Sequence, residues 1–173
     1  MNTENRTLCR KLRDVRKVIG ESFLAAFLSL IVGGAAHAEL CLWTVTETRH
    51  VLRSDAPAAN ATVKFSAARN EWVSFQILLR SDTPTSAIGV EASDLVGPGG
   101  TVLRRADARL YRQQQLHLET GTYRNDRFKP DWYPDPLIPF RHPITGKKLD
   151  GARITAVPFN LPANETHGVW VGW

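Results

Sequence analysis

A chain of 173 residues with a formal net charge of +5 is long enough for one packed domain and too short for a (β/α)8 barrel, which needs about 200 to 250 residues. The excess base sits at the start. Of 22 Lys+Arg and 17 Asp+Glu, residues 1–38 hold 6 and 3, which leaves 16 and 14 and a net of +2, so the basicity is no footprint for nucleic acid.

In chain order, Arg6 to Lys17 form a basic start, Ser22 to Ala36 an apolar run, and Ala36-His37-Ala38 a row of small residues around a histidine. That is the order of a helical secretory signal peptide over residues 1–38. The apolar run is shorter than the roughly 20 residues that span a bilayer. Membrane contact is therefore expected only through the uncleaved leader, and the location is secreted or periplasmic. Cys9 falls in the leader and Cys41 is the one cysteine beyond it. Cys41 is expected to be unpaired, with Leu40 standing where a lipobox has a small residue, so residues 39–173 must rely on their core.

Leu42 to Leu52 is the first candidate strand. Thr62 to Ala67 alternates, residues 68–71 are a polar turn, and Trp72 to Arg80 alternates again, with Val73, Phe75, Ile77 and Leu79 on one parity and Trp72 and Leu78 as apolar exceptions on the other. The two runs are expected to pair as a hairpin. Ile88 to Ser93, Ala108 to Leu118, Arg153 to Phe159 and Gly168 to Trp173 complete the set, separated by turn signals at residues 81–84 and at Gly97-Pro98-Gly99-Gly100. Outside the leader no run has helical periodicity. The expected fold is therefore all-β, an antiparallel β-sandwich of jelly-roll or immunoglobulin-like type over residues 39–173. Val169 to Trp173 is apolar where chain ends are usually polar and frayed, which predicts a portion of something longer with a sticky C-terminal strand edge.

Arg104, Arg105, Arg109 and Arg112, the densest basic group, divide between the two strand parities and make no single basic face. Signatures for a serine nucleophile, a phosphate loop or a zinc site are absent. His117 and Glu119 make only two potential ligands where zinc takes three or four, so neither metal nor cofactor is expected. Residues 129–140, KPDWYPDPLIPF, carry four prolines and are expected to run as an ordered loop over the sandwich surface. Asp131 and Asp135 would stand about 12 Å apart in a polyproline-like chain, against about 5 to 9.5 Å for paired glycosidic carboxylates. Trp132 and Tyr133 suit stacking on a sugar ring and equally suit covering an interdomain surface.

Ala67-Ala68-Arg69-Asn70-Glu71 followed by Val73-Ser74-Phe75-Gln76, then Ser93-Asp94-Leu95, Arg109-Leu110-Tyr111-Arg112, Tyr133-Pro134-Asp135-Pro136-Leu137-Ile138-Pro139 and Val169-Trp170-Val171, resemble the N-terminal β-sandwich domain of glycoside hydrolase family 123-like proteins. Their order and rough spacing match from about Trp43 to Trp173. The resemblance implies that a larger (β/α)8-like barrel, absent from this chain, carries catalysis. There an adjacent Asp-Glu pair assists hydrolysis of N-acetylgalactosaminides through the substrate's acetamido group. No residue here matches that pair, so no catalytic residue is expected. The implied role is a non-catalytic domain, with Trp132, Tyr133 and Asp135 forming a carbohydrate or interdomain surface and a glycan or the catalytic barrel as partner. The alternative is a self-standing carbohydrate-binding or interaction module that uses Trp132 and Tyr133.

Overall fold

The computed structural model describes residues 39–173 except 60, 61, 65, 69, 122, 125–127 and 150; the expected signal peptide and Arg69 of the 67–71 motif lie outside these. The described residues hold nine strands: β1 (Leu40–Thr46), β2 (Ser74–Ser81), β3 (Thr85–Ile88), β4 (Leu95–Val96), β5 (Val102–Leu103), β6 (Arg109–Leu118), β7 (Asp131–Pro139), β8 (Phe159–Leu161) and β9 (Thr166–Gly172). All pairings are antiparallel. The main sheet runs β1-β2-β9-β6-β7, and β3-β8 and β4-β5 form two small sheets. The all-β, antiparallel architecture expected from the alternation is the one found.

Period-2 alternation explains how the layers stack. Leu79, Val169 and Val171 point to one face of the main sheet and pack with Ile88, Phe159 and Leu161 of the β3-β8 pair. A two-stranded layer thus covers one face of a five-stranded sheet. Trp43 and Leu78 point to the other face and pack with Val51, from the segment that follows β1.

That second face also buries an amide relay. Gln76 donates through Nε2 to the carbonyls of Thr46 (2.8 Å), Glu47 (3.2 Å) and Arg49 (2.7 Å), and Gln113 on β6 donates to Gln76 Oε1 at 2.7 Å. The Gln113 side chain reaches β2 by crossing β9 at Gly168, where a Cβ would collide with it. The relay holds the segment after β1 against the sheet. At the far end of that segment Arg53 accepts the Thr166 N–H at 2.8 Å, and Thr166 Oγ1 donates to the Asp55 carbonyl at 2.7 Å.

Several expectations are corrected. Thr62 to Ala67 contains no strand among its described residues, and β2 pairs with β1 and β9 instead; alternation marks a half-buried extended chain but does not choose its partner. The first strand ends at Thr46, the 88–93 strand is displaced to Thr85–Ile88, and the 153–159 strand is reduced to Phe159–Leu161. Val169 to Trp173 is no edge, because β9 lies between β2 and β6 in the middle of the sheet. That position is why it is apolar on both parities. Cys41 is disulfide-bonded rather than unpaired.

The proline segment is likewise no loop. Asp131 to Pro139 forms β7, an outer strand paired to β6. Proline cannot donate to a ladder, but an outer strand needs donors on one side only, and a bulge relaxes even that. Gln113 faces Leu137 while Gln115 faces Pro134, so three steps along β7 match two along β6. The extra residue falls at Asp135-Pro136.

Candidate functional site

The residues singled out in β7 are brought into the sheet but not onto one surface. Trp132 and Tyr133 are neighbours on a strand and so face opposite sides. Tyr133 is buried, donates its hydroxyl to the Lys129 carbonyl at 2.9 Å, and sits 5.8 Å from the Phe128 ring. Trp132 is half-buried; the Arg53 guanidinium lies 4.2 Å from its ring centroid and the His117 ring 4.8 Å from it. Those contacts take up ring surface that a sugar would need. Asp135 is exposed at the bulge. Asp131 accepts the Trp132 N–H at 2.7 Å, and at about 3.3 Å per strand residue the two aspartates stand about 13 Å apart, beyond glycosidic pairing distance. His117 is occupied by Trp132, and no group of three metal-ligating side chains occurs among the described residues.

Arg53 links Trp132 to a half-buried ionic chain. Its Nη2 meets Glu165 Oε1 at 2.9 Å, and Glu165 Oε2 lies 3.1 Å from His167 Nε2. The His167 ring stacks against Phe159 with centroids 6.5 Å apart, and the Arg112 guanidinium covers Phe159 at 4.6 Å. Burial pushes the His167 imidazolium below its ordinary pKa, and the charges of Arg112 and Arg53 push the same way, against the opposing hydrogen bond and charge of Glu165. A neutral His167 donates from Nε2 to Glu165, while its Nδ1 is buried without a partner. The arrangement pins β8 and β9 together. Sequence reasoning missed it, although one signal was present: His167 shares the parity of Val169 and Val171, an inward-facing place for an imidazole.

A larger concave feature lies at the opposite end of the main sheet, where β2 and β6 begin and β7 and β9 end. It is a trough of about 1290 Å³, with Trp72, Leu110, Tyr111 and Phe140 among its walls. Trp72 is 59% exposed, and the Arg109 guanidinium lies 4.5 Å from its ring centroid. Arg105, Arg109, Arg141 and Lys148 outnumber Glu91 and Asp107 around it. His142 shapes one wall: its Nδ1 accepts the N–H groups of Ile144 and Thr145, each at 3.2 Å, and its backbone closes a turn with Lys147 and Gly146. The volume exceeds the roughly 300 to 1,000 Å³ of a small-molecule pocket, so it fits an extended ligand or a protruding protein surface. Trp72, the apolar exception on its parity, was the sequence signal for it. A recess of about 350 Å³ between β1 and residues 62–64 is lined chiefly by threonines.

No family model matches the chain, and no curated protein does. Among solved structures, the chain is similar to a family 123 glycoside hydrolase from Clostridium perfringens, described in terms of glycolipid glycan hydrolysis. The similarity has a TM-score of 0.54 at 12% sequence identity and covers 77% of this chain. It covers 21% of that protein, so the chain matches about a fifth of its length.

Proposed function

We propose that residues 39–173 are the non-catalytic β-sandwich of a secreted, glycoside hydrolase-like protein whose chemistry is carried by a larger domain. The observation that carries this reading is the partial nature of the structural likeness: most of this chain superposes on a small part of a glycosidase. The wide separation of Asp131 and Asp135 agrees with it. The parent activity would be hydrolysis of N-acetylgalactosaminides. Trp132 and Asp135 would then brace or line a neighbouring domain from the outer strand, with Tyr133 holding that strand from within. The test is release of a chromogenic leaving group from an N-acetylgalactosaminide by the full-length chain alone. No release above the uncatalysed rate is expected, and turnover by this chain would overturn the proposal.

The second reading, a self-standing carbohydrate-binding module, is favoured by the exposed Trp72 at the mouth of the trough. Affinity electrophoresis in gels containing polysaccharide separates the two readings. On the second, the wild-type chain is retarded and Trp72→Ala abolishes the retardation, whereas Trp132→Ala would do so if the outer strand were the platform. Unretarded wild-type protein removes this reading.

A further inference from the structure

The sequence places only the leader against a membrane, yet the folded part carries a feature suited to one. Leu95 pairs with Leu103 and Val96 with Val102 across the β4-β5 hairpin. Neighbouring strand residues face opposite sides, so the leucine pair forms one face and the valine pair the other. Both faces are in water, with Leu95 40%, Leu103 53%, Val96 72% and Val102 46% exposed. A hairpin that supports a core would hide one face and wet the other. This one is apolar and uncovered on both.

We propose that this hairpin, residues 95–103, is a shallow wedge that enters an anionic lipid surface. Four observations favour lipid over a protein partner or a second copy. A protein surface, or a copy of this one, covers one face of a two-stranded hairpin; lipid chains surround both. Two of the turn's backbone donors are satisfied internally, Gly97 N–H on the Thr101 carbonyl at 2.8 Å and Gly100 N–H on the Gly97 carbonyl at 3.2 Å, which lowers part of the cost of leaving water. Strands of two residues reach about 7 Å, the depth of the headgroup and acyl boundary where interfacial elements lie.

Charge supplies the fourth observation. Arg104 and Arg105 are exposed at the hairpin base, and Arg109, Arg141 and Lys148 continue the positive surface along the adjoining trough. These outnumber the nearby carboxylates of Glu91, Asp94 and Asp107. Of the three, Asp94 is exposed and accepts the Arg105 N–H at 2.7 Å. Apolar insertion plus flanking base is the combination that holds a peripheral protein on an anionic leaflet. This inference does not depend on the glycosidase reading.

Hydrogen exchange followed by mass spectrometry tests it locally on the full-length chain, where residues 1–38 are common to every sample. Phosphatidylcholine vesicles containing phosphatidylglycerol are expected to slow exchange of the amides in 95–103. The protection should shrink in pure phosphatidylcholine and with added salt. Val96→Asp with Val102→Asp should abolish it while leaving β9 amides as slow as in the wild type. Replacing Arg104 or Arg105 by Gln should weaken vesicle affinity about fivefold for each arginine. Unchanged exchange at 95–103 with vesicles overturns the proposal. So does protection that appears without vesicles and grows with protein concentration, which would assign the hairpin to a second copy. Protection indifferent to lipid charge overturns the anionic specificity.

Discussion

Gly168 shows how a single residue sets the second face of the sheet. The position lies under the Gln113 side chain on its way to Gln76, so any Cβ must displace a buried amide whose Nε2 is bonded to Gln76 and whose Oε1 has no partner. Gly168→Ala is expected to lower stability in urea titration by about 1 to 3 kcal/mol, as other overpacked interiors do. Adding Gln113→Ala should recover part of the loss, because the two residues share one space and their effects do not add. Equal or additive losses would show that the crossing is not the constraint. His167 gives a second consequence at this scale. Its folded pKa lies below the unfolded value, with burial the main cause. Above about pH 6.5 both states are neutral and nothing is lost. Below that the unfolded chain binds a proton that the folded chain refuses, and stability falls as pH falls. Thermal melts across this range should show the decline in the wild type and a flatter profile in His167→Gln.

Among the elements, β7 is the one whose residues are by propensity least suited to their structure. Pro134, Pro136 and Pro139 lie in a strand, yet they serve the sheet as a whole. An outer strand offers unpaired donors and acceptors to any other extended chain, and prolines and bulges are among the devices that make it a poor template. Replacing Pro134 and Pro136 by Val should leave the melting temperature near that of the wild type while raising mean particle mass in light scattering at equal concentration. An unchanged mass would mean that the outer side of β7 is covered by other means. The partner strand β6 shows the opposite relation of sequence to structure. Its alternation was legible to within a residue, since Arg109–Leu118 is local, regular and half-buried. The bulge between the two strands was not, because it depends on the register of two segments and not on the pattern of either.

For the whole molecule, stability rests on the unequal layers. Leu161 on β8 is almost wholly buried against β2 and β9, and with Phe159 and Ile88 it represents most of what the small layer contributes. Leu161→Ala is expected to cost about 2 to 5 kcal/mol in urea titration. Trp72→Ala, at an exposed site, should stay within about 0.5 kcal/mol of the wild type. A Leu161→Ala variant as stable as the wild type would mean that the β3-β8 layer adds little to the fold. The two ends of the main sheet differ. One carries the Arg53, Glu165 and His167 chain, and the other opens into the trough beside the apolar hairpin.

The amino-acid sequence by itself determined the strand class, the alternation of β2, β6 and β9, and the turn at residues 97–100, because side-chain period and backbone freedom are local properties. It also marked Trp72 as an apolar residue out of place, whereas the inward place of His167 became legible only once β9 was seen at the centre of the sheet. The tertiary structure alone decided that β9 is central, that the proline segment is a strand, that Trp132 is held by Arg53 and His117 while Tyr133 is buried, and that a two-stranded layer is enough to cover the sheet. These depend on which distant segments meet: β2 and β9 are paired although most of the chain's length separates them. A pattern of alternating residues says that a face must be buried; only the pairing of remote strands says against what.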